Sequence, residues 1–154
     1  MASKLPAAES AWEHDFEASV GYWIVLAAHA FQKTLNDELA PYGITFRQSQ
    51  VLAWLVLEGE LSQVELANRM MIEPGTLVGV LDRMERDALI LRVATAADRR
   101  RKIIRVHPQA AEVWGQVARC GRRVRAQAVQ GLTDAEVQSL IAILKKVLSN
   151  LSAR

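Results

Sequence analysis

The sequence predicts a mainly α-helical domain with one small β-hairpin, and three observations predict it. Apolar residues recur at three- and four-residue spacing along most of the 154 residues, and proline, glycine or a capping hydroxyl repeatedly interrupts them. The period falls to two only in Leu89-Ile90-Leu91-Arg92-Val93 and in Lys102-Ile103-Ile104-Arg105-Val106, which are short and rich in β-branched residues. Between Ser62 and Arg86, two short helical stretches adjoin across a tight break.

Taken in order, Met1 to Ser10 is small and polar, contains Pro6 and is expected to fray. Structure is expected to begin near Trp12. From Phe16 the residues Val20, Trp23, Ile24, Ala27, Phe31 and Leu35 step at helical spacing toward Leu39, a helix of about six turns. So long a helix in so short a chain wants a partner. Pro41, Tyr42 and Gly43 end it, and Thr45 caps a second helix whose apolar residues Phe46, Val51, Leu52, Trp54 and Leu55 run up to Gly59.

A capping box opens the next helix: the Ser62 hydroxyl serves the free amides while Glu65 reaches back to the serine N–H. Leu61, Leu66, Ala67 and Met70 give it one apolar face. Ile72 and Glu73 make the break, and Pro74 suits a first helical position because its missing N–H would have no partner there. Along the helix that restarts, Leu77, Val80, Leu81 and Met84 point inward and leave Gly75, Thr76, Gly79, Arg83 and Arg86 on the outer side. Two glycines a turn apart weaken a helix by roughly 1 kcal/mol each relative to alanine. On an exposed stripe they also permit close backbone approach to a flat or grooved surface.

The hairpin that follows is basic. Arg92, Arg99, Arg100, Arg101, Lys102 and Arg105 face only Asp98, about +5 by formal count in a chain whose whole net charge is +2. Arginine runs are usually solvated loops. Beside a helix-turn-helix, a hairpin tip of this charge reaches phosphates or a narrow minor groove, whose negative potential favours Arg.

After the hairpin, Pro108 restarts a helix whose apolar line is Ala111, Trp114, Val117, Gly121, Val124 and Ala128, with Arg119, Arg122, Arg123 and Arg125 outward, and Gly131 stops it. Thr133-Asp134-Ala135-Glu136 is another capping box, after which Val137, Leu140, Ile141, Leu144, Leu148 and Leu151 keep a seam to the chain end. These end helices carry more apolar face than a small winged unit covers, so dimerisation through them is expected.

A 51% hydrophobic content suffices for a sizeable core in a single domain. The longest apolar run, near Trp23 to Ala28, is far short of the ~20 residues that span a bilayer, and there is no secretory pattern, so no membrane association and a cytoplasmic location are expected. Cys120 is alone and reads as a small buried hydrophobe. His14, His29 and His107 lie on different elements without metal-ligand spacing, no nucleophile turn occurs, and no cofactor, metal or enzymatic activity is expected.

Together these motifs resemble the MarR family, in particular its MarR/SlyA type. The resemblance rests on Leu66-Ala67, on Ile72-Glu73-Pro74-Gly75-Thr76-Leu77-Val78, on Leu81-Asp82-Arg83-Met84-Glu85, and above all on the Asp-x-Arg wing within Asp98-Arg99-Arg100-Arg101-Lys102. It implies a homodimeric regulator of transcription, most often a repressor, that binds a pseudopalindromic operator in double-stranded DNA with a recognition helix in the major groove and a wing arginine in the minor groove. The whole chain, 1–154, is then one domain, with dimerisation helices at about 12–40 and 108–152 and a winged helix-turn-helix at about 45–107. The candidate DNA-contacting residues are Ser62, Gln63, Gly75, Thr76, Val78, Gly79, Arg83, Arg86, Asp98, Arg99, Arg100 and Arg101. Two positions depart from the family: Met71 stands where the turn usually has Gly, and Gly79 where SlyA-like members have a DNA-facing Arg.

The resemblance also implies an aromatic-acid effector bound between the dimerising helices and the DNA-reading unit. His29, Gln32, Arg47 and Ser49 match pocket positions, Arg47 being suited to a carboxylate, with Trp23 or Trp54 as an aromatic wall. A different class of function is a winged-helix protein-interaction module without DNA binding, to which the sparsely polar stripe Thr76, Val78, Gly79 and Val80 gives its best support. The arginine-rich wing argues against it, and a steep loss of duplex affinity with salt separates the two.

Overall fold

The computed structural model describes residues 16–95 and 102–152. It is mainly helical with one small antiparallel sheet, in the order α1 (Val20–Leu39), α2 (Phe46–Glu58), β1 (Leu61–Ser62), α3 (Gln63–Met70), α4 (Pro74–Arg86), β2 (Ile90–Ala94), β3 (Lys102–Val106), α5 (Ala111–Ala128) and α6 (Asp134–Ser152). The expectations for Met1–Ser10 and Trp12 lie outside the described residues.

The first helix begins later than its apolar spacing predicts. Ser19, extended at ψ 116°, accepts from the Tyr22 N–H and so caps α1 at Val20. Phe16 precedes the helix in a turn closed by the Ser19 N–H on the Phe16 carbonyl, 3.0 Å. A hydroxyl that satisfies a free amide decides the start more firmly than an apolar residue in phase. At the other end a 3-10 turn, Ala40–Tyr42, leads into Gly43 in the left-handed region (φ 69°). The Thr45–Gln48 capping box then starts α2, with both of its reciprocal hydrogen bonds formed, and Gly59 ends it.

The sheet has three strands in the order β1-β3-β2, one more than the period-two runs predict. Leu61 pairs with Ile104 and Ser62 with Ile103, while β2 meets β3 from Ile90↔Val106 to Ala94↔Lys102. β1 is two residues long, too short for any alternation to show. Leu89, expected inside the first hairpin strand, lies just before β2, because Ala88 takes a left-handed φ of 53° to turn the chain out of α4. Pro108 starts a 3-10 turn, Pro108–Ala110, and the α-helix itself begins at Ala111. α5 closes at Ala128, three residues before Gly131 (φ 85°).

Leu39, Val51, Leu52, Leu66, Leu77, Leu81, Met84, Ile90 and Ile104 form the centre of the core, so it is the helix-turn-helix and sheet that pack most tightly. α5 joins this core through Val117 and Cys120. The cysteine is fully buried, 3.4 Å from the Glu38 carbonyl of α1 to which its thiol can donate, and Arg123 of α5 holds the Glu38 carboxylate at 2.6 Å. The chain-end helices are different: α1 buries only Leu39 and α6 buries none of its residues. No helix among the described residues is long and apolar enough to cross a membrane.

Candidate nucleic-acid interface

The two short helices are locked together at their N-terminal ends. Ser62 Oγ accepts from the Glu65 N–H at 3.2 Å, and a Glu65 carboxylate oxygen accepts from the Ser62 N–H at 2.8 Å. Gln63 Nε2 donates to the Pro74 carbonyl at 3.0 Å, tying the first turn of α3 to the first residue of α4. Ser62 and Gln63 are thus half-buried and already engaged within the chain.

Met71 makes the turn in the left-handed conformation (φ 51°, ψ 46°), with its N–H on the Asn68 carbonyl and the Ile72 N–H on the Ala67 carbonyl. The backbone turn is therefore kept even though glycine is absent. A side chain there costs about 1 kcal/mol in backbone strain. It projects outward, 70% exposed.

α4 has two unlike sides. Leu77, Val80, Leu81 and Met84 are buried, whereas Gly75, Thr76, Val78, Gly79, Asp82, Arg83, Glu85 and Arg86 are exposed. Val80 therefore does not belong to the outward stripe, and its burial removes one residue from the support for an apolar interaction surface. A β-carbon built on Gly75 meets no atom within 4 Å, and one on Gly79 meets only Arg83 Nη1 at 3.8 Å. Packing among the described residues requires neither glycine.

The charge of the hairpin is redistributed by its neighbours. Arg92 of β2 is not turned to solvent: its side chain is 17% exposed, with Nη2 at 2.7 Å from Asp82 Oδ1 and Nη1 at 2.7 Å from Glu85 Oε2, both acids being on α4. Burial works against its charge, but the hydrogen bonds to Asp82 and Glu85 outweigh burial and hold the guanidinium above its ordinary pKa. Arg105 of β3 faces Glu60 at 3.6 Å. Lys102 is exposed at the end of β3. Asp98, Arg99, Arg100 and Arg101 lie outside the described residues.

The six candidate ligand residues are spread over separate places. Ser49 lines a crevice of about 450 Å³ between α1, α2 and α5, together with Leu35, Phe46, Gln50, Trp114, Arg122 and Arg125. Its own hydroxyl donates to the Phe46 carbonyl at 2.7 Å. Arg47 stands beside this crevice, with Nη1 donating to Gln50 Oε1 at 3.1 Å. His29 lines a different cleft with Phe16, Tyr22 and Leu26 at the start of α1. Trp23 is exposed and gives its indole N–H to the Glu17 carbonyl, Gln32 is exposed on α1, and Trp54 packs half-buried against the core.

The basic groups that do line the crevice, Arg122 and Arg125, sit in the sequence among arginines that read as a solvated face. The signal that marks them is Gly121. It is buried, and a β-carbon there would come within 3.2 Å of Arg125 Nη1, so the absent side chain makes room for that guanidinium against the helix.

Residues 42–101, which contain α2, the helix-turn-helix and β2, match the model of the MarR family. The multiple antibiotic resistance protein MarR of Salmonella typhimurium is 29% identical over 130 residues, covering 84% of this chain and 90% of that protein. Among solved structures, a MarR variant from E. coli complexed with operator DNA superposes with a TM-score of 0.77 at 27% identity, over 84% of this chain and 93% of that one. BpsR of Bordetella bronchiseptica, whose DNA binding is regulated by 6-hydroxynicotinic acid, gives a TM-score of 0.79 over 88% of this chain and 96% of its own. At 21% identity that last likeness is one of fold.

Proposed function

We propose that the chain, which resembles MarR-type DNA-binding transcription regulators over most of its length, works as a homodimer on a pseudopalindromic operator, repressing until a small aromatic or phenolic ligand releases it. The observation that carries the reading is α4, buried on one side and on the other exposing Gly75, Thr76, Val78, Gly79, Arg83 and Arg86 next to the turn. A helix with that division has a bare, partly basic face to place in a major groove. Thr76 and Val78 offer a hydroxyl and methyl groups to base edges, and Arg83 a guanidinium to guanine or phosphate. A wing arginine, Arg100 ahead of its neighbours Arg99 and Arg101, would reach the adjoining minor groove.

The dimer is supported by the end helices, which expose Val20, Trp23, Val25 and Leu26 on α1 and Leu140, Ile141, Leu144, Leu148 and Leu151 on α6. So much apolar surface on two helices is what an isologous interface covers. Two copies then present two recognition helices to successive major grooves, roughly 34 Å apart. For the effector, the crevice beside Ser49 and Trp114 combines apolar walls with Arg122 and Arg125, a donor set for an aromatic carboxylate. The regulation of BpsR by 6-hydroxynicotinic acid gives this class a precedent on the same fold.

Selection of binding sequences from a random duplex pool tests the reading. A pseudopalindromic consensus, an affinity falling steeply with salt, and release by 6-hydroxynicotinic acid are expected. Salt-insensitive or undetectable duplex binding would instead favour a protein-interaction module.

A further inference from the structure

The segment that carries the DNA-facing side is itself acidic. Between Glu73 and Asp87 there are four carboxylates, Glu73, Asp82, Glu85 and Asp87, and only two guanidiniums, Arg83 and Arg86. Asp82 follows Val78 by four residues and Glu85 follows Asp82 by three, so both acids stand along one edge of the exposed face. Their side chains are 58% and 41% exposed. An unmasked pair of carboxylates at that edge would oppose a polyanion, since like charges brought together at an interface are costly.

From the placement of Arg92 between β2 and this edge of α4, we infer that Arg92 is a positioning residue for DNA binding, masking the Asp82 and Glu85 carboxylates so that the recognition helix can approach phosphates. One guanidinium holds both acids, each at 2.7 Å and through a different terminal nitrogen. The planar fork with two separate terminal donors permits this, and an ammonium would reproduce it poorly. Arg92 also sits two residues from the end of β2, opposite Ile104 in the sheet, so the mask is anchored to the strand that leads into the wing. Arg92 itself, largely covered, is not a phosphate contact. It acts through the two acids.

This inference rests on the DNA-binding reading, and the experiment separates the two. Wild type, Asp82→Asn/Glu85→Gln, Arg92→Met and the triple variant are titrated against a duplex of roughly 30 base pairs selected by wild type. Titrations run at about 50 mM and about 200 mM salt. In the double variant the amide oxygens still accept from the guanidinium, so the tie persists while both charges vanish. With Arg92 in place the two acids already oppose DNA little, so the double variant is expected to bind within about threefold of wild type at the lower salt. Arg92→Met is expected to lose about tenfold at the lower salt, and the triple variant to bind like the double variant, because Arg92 acts only through the acids. If the triple variant binds distinctly more weakly than the double variant, the inference is overturned, whether or not Arg92→Met folds. A loss in Arg92→Met that the triple variant keeps would likewise reject masking and leave a purely structural tie. If wild type itself selects no duplex, the DNA-binding reading fails first and carries this inference with it.

Discussion

Gly79→Ala separates folding from recognition at one atom. Gly79 lies inside α4, where glycine costs roughly 1 kcal/mol relative to alanine. The added methyl would meet only Arg83 Nη1, at 3.8 Å, which is ordinary contact with the end of a flexible side chain. Nothing within the protomer offsets the propensity gain, so the variant should be more stable by up to about 1 kcal/mol. For a chain of this size that corresponds to about 3 °C in thermal midpoint. On DNA the sign reverses if the bare backbone lies against the groove, because a methyl forced into a packed surface costs about 1–3 kcal/mol. That is roughly five- to hundredfold in affinity. Gly75, one turn earlier and with no atom within 4 Å of its virtual β-carbon, belongs to the same bare strip and favours that outcome. The assay is paired: thermal midpoint and operator affinity at one fixed salt concentration. A raised midpoint with unchanged affinity would refute close approach and leave Gly79 neutral for DNA binding.

Met71→Gly should stabilise the fold by about 1 kcal/mol, because it relieves a left-handed non-glycine conformation at a residue that buries little; a higher urea midpoint at unchanged slope checks this. Arg100→Ala should weaken operator binding strongly, and more than Arg99→Ala or Arg101→Ala. If it also relaxes preference for a narrow A·T stretch, Arg100 reads the minor groove, whereas a uniform loss with the salt slope lowered by about one marks a phosphate contact. Leu144→Asp on the exposed seam of α6 should shift sedimentation from dimer to monomer, and a wild type that sediments as a folded monomer at micromolar concentration would remove the half-site argument. Glu136 has its pKa lowered, first by the backbone N–H of Thr133 and then by its hydroxyl. The ionised form is thus the one the fold prefers: its contribution is full above the ordinary glutamate range and is lost as pH falls through the depressed value. Glu136→Gln should accordingly flatten the acid limb of stability against pH, and an unaltered limb would show the cap to be without weight.

Much of the fold could be read along the chain because its boundaries are set by local chemistry. Thr45–Gln48, Ser62–Glu65 and Thr133–Glu136 each satisfy orphan helix amides with side chains three residues apart, and such spacing is visible without knowing the fold. Where a start depended on competition between signals, the cap prevailed: Ser19 displaced Phe16 as the start of α1. The third strand was hidden for another reason. Ser62 is at once the end of β1 and the cap of α3, and a two-residue strand exists only because β3 runs past it.

The charges of the candidate site were less legible, and Arg92 shows why. Counted along the hairpin it adds to a basic run, yet its partners are ten and seven residues earlier on a different element, beyond the three- and four-residue pairings that a helix makes visible. The same holds for Arg125, whose place in the crevice depends on a glycine four residues before it and on two helices that close the space from other parts of the chain. In both cases the residue type was evident and its electrostatic role was not, because that role belongs to the pairing. A net charge taken over a segment therefore overstates what the hairpin presents to DNA. With Arg92 committed to Asp82 and Glu85, Arg105 facing Glu60 and Arg86 3.9 Å from Asp87, the attraction rests, among the described side chains of the helix and hairpin, on Lys102 and Arg83, to which the sequence adds Arg99, Arg100 and Arg101 of the wing. The salt dependence of operator binding should then be governed by those side chains, and removing Arg105 should change it less than removing Arg83.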